Sequence, residues 1–262
     1  MSQQLLPIRR YLVRFAWLPF VACTAACAAQ STAPVTSPME QDLFRMTNAA
    51  RSEQGLAPLQ WDDSLAQAAR AHADLLLQNG QLSHQFPGEA SLAVRAAQAG
   101  AHFQAIAENI AEAPGVDSIQ NSWMNSPPHR ANILDPNLNA VGFAVLGHGS
   151  YFYAVADFSH AVPIRSFEEV ESAIGKLLLA RGIRSAGSVQ DARQTCEMEH
   201  GAAGGSKPLF IMRWQGADLS RLPDRLEDQI RTHSYRTAAI GACSSANAES
   251  GFTTYRVAVL FY

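Results

Sequence analysis

Trp123-Met124-Asn125-Ser126-Pro127-Pro128-His129-Arg130-Ala131-Asn132-Ile133-Leu134 is the stretch on which the reading of this chain turns. Trp123 and Met124 end an apolar helical run. Two prolines then fix φ and remove two backbone donors, so that helix stops there. A histidine and an arginine follow at once on the stiffened backbone. Asn132 can bond nearby backbone groups, and Ile133 and Leu134 supply burial. A histidine presented in this way is held in place rather than left in solvent. The two side chains expected to converge on it are His84 and Glu108.

Upstream, residues 38–54 read as a helix, with Met39, Leu43, Met46 and Ala50 at helical spacing and Gly55 just beyond. Residues 57–61 form an extended connector that buries Trp61. Asp62 or Asp63 caps a second helix, whose stripe is Leu65, Ala68, His72, Leu75 and Leu76 and whose end is Gly80. His72 lies on that apolar face and reads as a packed, hydrogen-bonded residue rather than a ligand. His84 follows on a loop, and residues 91–99 make a short alanine-rich helix. Residues 106–111 alternate as a strand, so Glu108 shares a face with Ile106 and Ile110. A carboxylate among apolar neighbours needs a partner. Residues 117–124 form another helix. Residues 140–146 and 150–158 read as an antiparallel hairpin turned by Gly147-His148-Gly149.

With 262 residues, 47% of them apolar and 16% charged, the chain can fold as one large domain or two ordinary ones. Its first 28 residues read as an export signal. Arg9, Arg10 and Arg14 precede a short apolar run, and Ala26-Cys27-Ala28-Ala29 offers a cleavage site. The run is too short to span a bilayer, so no transmembrane span is expected once the signal is removed. The alternative makes Cys27 a lipidated cysteine and the protein an outer-membrane lipoprotein. Residues 29–38 are a flexible leader. In an oxidising compartment the remaining Cys196 and Cys243 are expected to pair rather than stay as two separate thiols. Residues 38–163 carry five basic and twelve acidic side chains, a net of −7; residues 164–262 carry twelve and eleven, a net of +1. An acidic first domain argues against nucleic acid or anionic membrane as partner and suits cations.

In the second half, Ser166 and Glu169 form a capping box ahead of the stripe Phe167, Val170, Ile174, Leu177 and Leu178. Residues 183–206 read as a polar, glycine-rich stretch carrying Cys196, with Glu197, Glu199 and His200 in a solvated loop. Residues 209–212 are a strand, and Leu222-Pro223 opens a helix with Leu226 and Ile230 inward. Residues 238–243 and 253–262 are two more strands. The result is a small α+β accessory domain over 163–262, its bridge tying the loop after the first helix to the middle strand.

Taken together, the pieces in the first half resemble the CAP superfamily: the cysteine-rich secretory protein, antigen 5 and pathogenesis-related-1 group, or SCP domain. Asn48-Ala49-Ala50-Arg51 with Gly55-Leu56-Ala57-Pro58-Leu59-Gln60-Trp61 resembles the first-helix signature. Ser83-His84 resembles the first histidine motif, and Ala107-Glu108-Asn109-Ile110 the "GEN" strand. The opening stretch resembles the bacterial form of the third motif. The resemblance implies an α-β-α sandwich over residues 39–162 and a cleft with two histidines and two acids. His84, Glu108 and His129 match three of those four, with Ser126, Asn109 and Arg130 adjoining; Ser126 stands where many members have a glutamate.

Two imidazoles and a carboxylate suit Zn²⁺ or another divalent cation, with a position left for water. The alternative is that Glu108 bonds imidazole or backbone groups and stiffens the cleft without metal. A hydrolase would need a further general base, which Ser126 cannot be, and no His-Glu-x-x-His helix is present. No nucleophile-elbow pattern surrounds Ser83 or Ser126. The expectation is a secreted or periplasmic, non-catalytic protein binding a metal or an apolar or cell-surface ligand. The competing readings are a metal-dependent hydrolase of envelope polymers, peptides or esters, and a lipid or sterol carrier.

Overall fold

Ser37 starts the first helix with a reciprocal cap. Its hydroxyl accepts the Glu40 N–H (3.3 Å), and the Glu40 carboxylate accepts the Ser37 N–H (2.7 Å). The helix, α1 (Pro38–Glu53), begins on a proline, where the missing donor costs nothing. The computed structural model describes residues 36–148, 150–205, 207–245 and 251–262. The expected signal peptide, Cys27 and most of the leader lie outside the described residues, as does the His148 side chain.

The face that α1 buries is Glu40, Leu43, Thr47 and Arg51. Met46 and Ala50 of the expected stripe are only half-buried. Arg51 is 1% exposed, and its guanidinium donates to the carbonyls of Ala57, Ile133, Asp135 and Leu138 at 2.9–3.1 Å. One side chain thus satisfies four backbone acceptors, two of which flank a helix end. Burial lowers its pKa, offset in part by the Asp135 charge.

The chain continues through β1 (Gln60–Trp61), α2 (Asp63–Asn79), α3 (Leu92–Gln98), β2 (Phe103–Ala113), α4 (Val116–Asn125), α5 (Pro127–Ile133), β3 (Ala140–His148) and β4 (Tyr151–Ala161). Asp62 caps α2 by accepting the Ser64 and Leu65 N–H groups at 2.8 and 3.1 Å. Gly80 ends α2 in the left-handed region (φ 61°) and sends the chain into the loop that bears His84. The two prolines do more than stop α4. They occupy the first two positions of α5, where fixed φ is favourable, so His129 becomes the third residue of a new helix.

The sheet order is β1-β3-β4-β2, with β1 parallel to β3 and the other pairs antiparallel. Helices α1, α4 and α5 cover one face, around Leu43, Trp123, Ile133, Phe143 and Phe158. Helices α2 and α3 cover the other, around Leu65, Ala69, Leu76, Ala96 and Phe103. This is the α-β-α sandwich that the resemblance implies. Contact on the α2 side is closest at Gly142, where a Cβ would sit 2.0 Å from the Ala66 nitrogen. Only glycine admits the helix there.

The second half holds α6 (Phe167–Leu179), β5 (Arg184–Ser185), α7 (Val189–Glu197), β6 (Phe210–Gly216), α8 (Asp224–Thr232), β7 (Thr237–Cys243) and β8 (Tyr255–Phe261). The expected capping box is present at Ser166 and Glu169. Residues 183–206 are not structureless, since they contain β5 and α7. The buried face of α7 is Ala192, Thr195 and Cys196. So short and mixed a stripe gives little periodic signal. Cys196 and Cys243 are bonded, with Cα atoms 5.9 Å apart. The bridge therefore joins a helix, not a loop, to β7.

This second sheet has the order β5-β7-β8-β6, with β5 parallel to β7 and the rest antiparallel. That is the topology of the first sheet repeated strand for strand. The layers repeat too: α6 and α8 pack on one face and α7 on the other. Gly241 meets the first turns of α7 as Gly142 meets those of α2, its Cβ position lying 2.1 Å from the Ala192 carbonyl carbon. The two halves touch where the Thr253 N–H donates to the Phe103 carbonyl (2.8 Å) and Phe252 packs edge-on to Phe103 (ring centroids 5.4 Å apart).

Candidate functional site

Strand β2 is an edge of the first sheet, and the candidate site straddles it. Ile106, Glu108 and Ile110 face α2 and α3, while Asn109 faces α5. Asn109 is fully buried; its amide donates to the His129 carbonyl (3.0 Å) and its oxygen accepts from Asn132 (2.9 Å). Asn132 also lies 3.3 Å from the Glu108 carbonyl. These bonds fix the start of α5 against β2. His129 is thereby brought opposite His84, with ring centroids 6.5 Å apart.

Both oxygens of the Glu108 carboxylate are engaged. Oε1 accepts from His84 Nδ1 at 2.7 Å, and Oε2 accepts from the Arg95 guanidinium in a closer contact. The Glu108 side chain is 3% exposed and that of Arg95 8%. Burial works to raise the Glu108 pKa, but the His84 hydrogen bond and the Arg95 and His72 charges outweigh it, leaving it below the usual carboxylate range.

His72 is fully buried beside this pair. Its Nδ1 meets Glu89 Oε1 at 2.6 Å and its Nε2 meets the Ser83 carbonyl at 2.9 Å. Both ring nitrogens are thus within hydrogen-bond reach of an oxygen. Glu89 also accepts the Phe86 N–H (2.8 Å). His72 thus braces the two ends of the loop that carries His84.

Asp157 lies directly across from Glu108 on β4 and next to Gly142 on β3. It is 0% exposed, and no hydrogen bond of ordinary length reaches either carboxyl oxygen. Burial raises its pKa well above the usual value, and the Glu108 charge pushes it further, against Arg95. Asp157 is therefore a neutral acid beneath an ionised one.

The two imidazoles are unlike. The Glu108 hydrogen bond raises the His84 pKa against partial burial, whereas burial, helped by the charge of His84, lowers that of His129. The His84 side chain is 58% exposed. His129 Nδ1 is buried without a partner. Ser83 turns its hydroxyl to the Gln85 carbonyl (2.8 Å). Ser126 joins α4 to α5, and its side chain makes no capping bond. Neither serine is set against an imidazole. Arg130 is exposed on α5, Glu197 is exposed at the end of α7, and Glu199 and His200 are exposed beyond it.

Glu108 therefore stands behind His84 and is not free as a third donor. Among the described residues no group of three or more His, Cys, Asp and Glu side chains is arranged to hold a metal ion. What the geometry offers a cation is two imidazoles, His84 and His129, with Glu108 orienting the first. Sequence reasoning missed Arg95, Glu89 and Asp157. Asp157 carried the signal that found Glu108, a carboxylate inside an apolar strand. Arg95, in an alanine-rich helix, carried none.

Residues 44–158 match the CAP family, described as the cysteine-rich secretory protein family. The uncharacterised protein YkwD of Bacillus subtilis is 35% identical over 115 residues, covering 44% of this chain and 45% of that one. The uncharacterised membrane protein YlbC of the same organism is 32% identical over 108 residues, covering 40% and 31%. The chain thus spans less than half the length of these curated relatives. Among solved structures, an extracellular SCP-domain protein of Bacillus anthracis is 31% identical, with a TM-score of 0.41, covering 46% of this chain and 39% of that one. An outer surface protein of Borrelia burgdorferi is 22% identical, with a TM-score of 0.45, covering 48% and 95%. Residues 44–158 thus form a domain that matches the cysteine-rich secretory protein (CAP) family.

Proposed function

We propose that this protein acts outside the cytoplasm as a binding protein whose His84–His129 cleft takes a divalent cation or a polar ligand without turning it over. The carrying observation is the state of Glu108. Its carboxylate is fastened by His84 and Arg95 and is not available as a general base. Among the described residues no serine is set against either imidazole, so a side-chain nucleophile for hydrolysis is missing from the cleft. A site of action outside the cytoplasm is supported by the basic and apolar leader in the sequence and by the Cys196–Cys243 bridge, a bond that persists in oxidising compartments. Lipid carriage has less support, because the apolar stripes of α1, α2 and α4 are spent in the core.

The test is calorimetric titration of Zn²⁺ into the protein lacking residues 1–28. One site is expected. His84→Ala and His129→Ala should each abolish it, and Glu108→Gln should weaken it by about 10- to 100-fold through loss of His84 orientation. Zinc uptake unchanged in both histidine variants would remove the cation reading. Turnover of an ester, peptide or cell-wall fragment that disappears in Glu108→Ala would replace binding with hydrolysis.

A further inference from the structure

The second half repeats the topology of the first but not its cleft. In the first sheet, neighbouring positions under α2 are Gly142, Asp157 and Glu108. In the second, the corresponding positions under α7 are Gly241, Ala258 and Arg213. An arginine occupies the place of the carboxylate, and its guanidinium donates to the Thr195 and Gly201 carbonyls. These positions therefore do not repeat the cleft's acids. What the second half adds is one wall of a cavity.

That cavity, of about 500 Å³, lies where the two halves meet. Its size falls within the roughly 300–1,000 Å³ of small-molecule sites, and a junction between domains is a preferred place for them. The first half contributes Gln104 and His160 from the ends of β2 and β4. The second contributes Ala173 of α6, Ser220 after β6 and Tyr255 of β8. Arg165, in the linker, completes the lining.

The charges here are unequally satisfied. Asp218 accepts the Ser220 N–H (2.7 Å) and hydroxyl (2.6 Å) and pairs with Arg221 at 3.4 Å. Its negative charge is already answered, and the Ser220 bonds hold its pKa down. Glu169, one turn into α6, is committed to the Ser166 N–H (2.7 Å). Arg165 has no carboxylate partner among the described residues; its neighbour is the Tyr255 hydroxyl. Tyr255 in turn donates to the Pro163 carbonyl, which holds the linker against β8. A guanidinium fork, an imidazole, an amide and a hydroxyl thus face one space, beside the apolar Val162, Pro163 and Leu219.

We propose that this cavity binds a small organic oxyanion, a carboxylate or phosphate head on a short apolar body, with Arg165 taking the head. The protein should be titrated with 4-phenylbutyrate, phenyl phosphate and the uncharged 4-phenylbutan-1-ol, following backbone amide shifts by NMR. At least one anion is expected to shift residues 160–165 and 217–220 saturably, and the tighter of the two identifies the head. The alcohol should bind at least about tenfold more weakly, the scale of a lost charge-assisted hydrogen bond. Arg165→Gln should erase that difference. Ala173→Phe, which fills the space from α6, should abolish binding without lowering the unfolding midpoint. Binding should survive His84→Ala, since the site is independent of the CAP cleft. No saturable shift with either anion, equal binding of the alcohol, or undiminished binding by Arg165→Gln would overturn the proposal.

Discussion

Replacing Arg95 with methionine tests whether the cleft is organised as described. The substitution keeps most of the side-chain volume and removes the guanidinium that lies against Glu108 Oε2 and 3.6 Å from Glu89 Oε1. Both partners are at least nine-tenths buried, with side-chain exposures of 3% and 8%. Stranding one member of a buried ion pair costs about 3–5 kcal/mol. The lower end, about 3 kcal/mol, is expected here, because His84 still donates to Glu108 and can carry the compensating charge. Urea unfolding followed by circular dichroism, with the disulfide intact, reads this as a fall in midpoint at unchanged slope. The same substitution made in a Glu108→Gln background should cost about 1–3 kcal/mol less, because the stranded charge is gone. A cost of under about 1 kcal/mol, the value of a surface pair, would refute the reasoning. So would an equal cost in both backgrounds.

Asp157→Asn should flatten one part of the stability–pH curve. The folded-state pKa of Asp157 is raised, so the native state holds a proton that the unfolded chain releases, and stability falls as pH rises from about 4 towards the folded value; urea midpoints between pH 4 and 8 should fall less in the variant. His84→Ala should flatten a different part. The raised His84 pKa gives a contribution fully present below about pH 6.5 and lost as pH rises through the folded value, so the variant should lose more at pH 5.5 than at pH 8.5. Gly142→Ala should cost about 3 kcal/mol, the upper range for overpacking, since the Cβ would lie 2.0 Å from backbone that cannot rotate away; a thermal midpoint within two degrees of the parent, about 0.5 kcal/mol, would contradict the close packing of α2.

The first half was legible because its elements announce themselves locally. Asp62, Gly80 and the proline pair each mark a helix boundary by chemistry that acts within four residues. Alternation about Glu108 placed that residue on the correct face of β2. Helix α7 was missed for the opposite reason. It is short, its inward face mixes Ala192 with Thr195 and Cys196, and it is held by tertiary contact and a disulfide rather than by periodicity. The repeat of the first half in the second was equally hidden, because topology is set by strand pairing over long separations and the paired sequences differ. At the site, Arg95 and Glu89 could not be found from local pattern. Each makes sense only against His72 and Glu108, which come from other elements.

The repeat separates what the fold requires from what the cleft requires. Both sheets need a glycine where a helix comes down on the strand, and both have one, Gly142 on β3 and Gly241 on β7. Beside Gly241 the next position is Ala258, and the one beyond is an arginine bonded to two carbonyls. The same topology therefore stands without any buried acid at those positions. Asp157 and Glu108 cannot be demanded by strand order or helix docking, and a pair of carboxyls at that depth costs stability unless one keeps its proton and the other finds cations. Asp157 keeps its proton, and Glu108 finds Arg95 and His84. The net result is a fixed negative charge behind His84 and none behind His129, so the pKa of one imidazole is raised and that of the other lowered across a 6.5 Å gap. A ligand that bridges them, whether a cation replacing the His84 proton or a polar group bonding to both rings, meets a donor and an acceptor set by those buried acids and not by the sandwich itself.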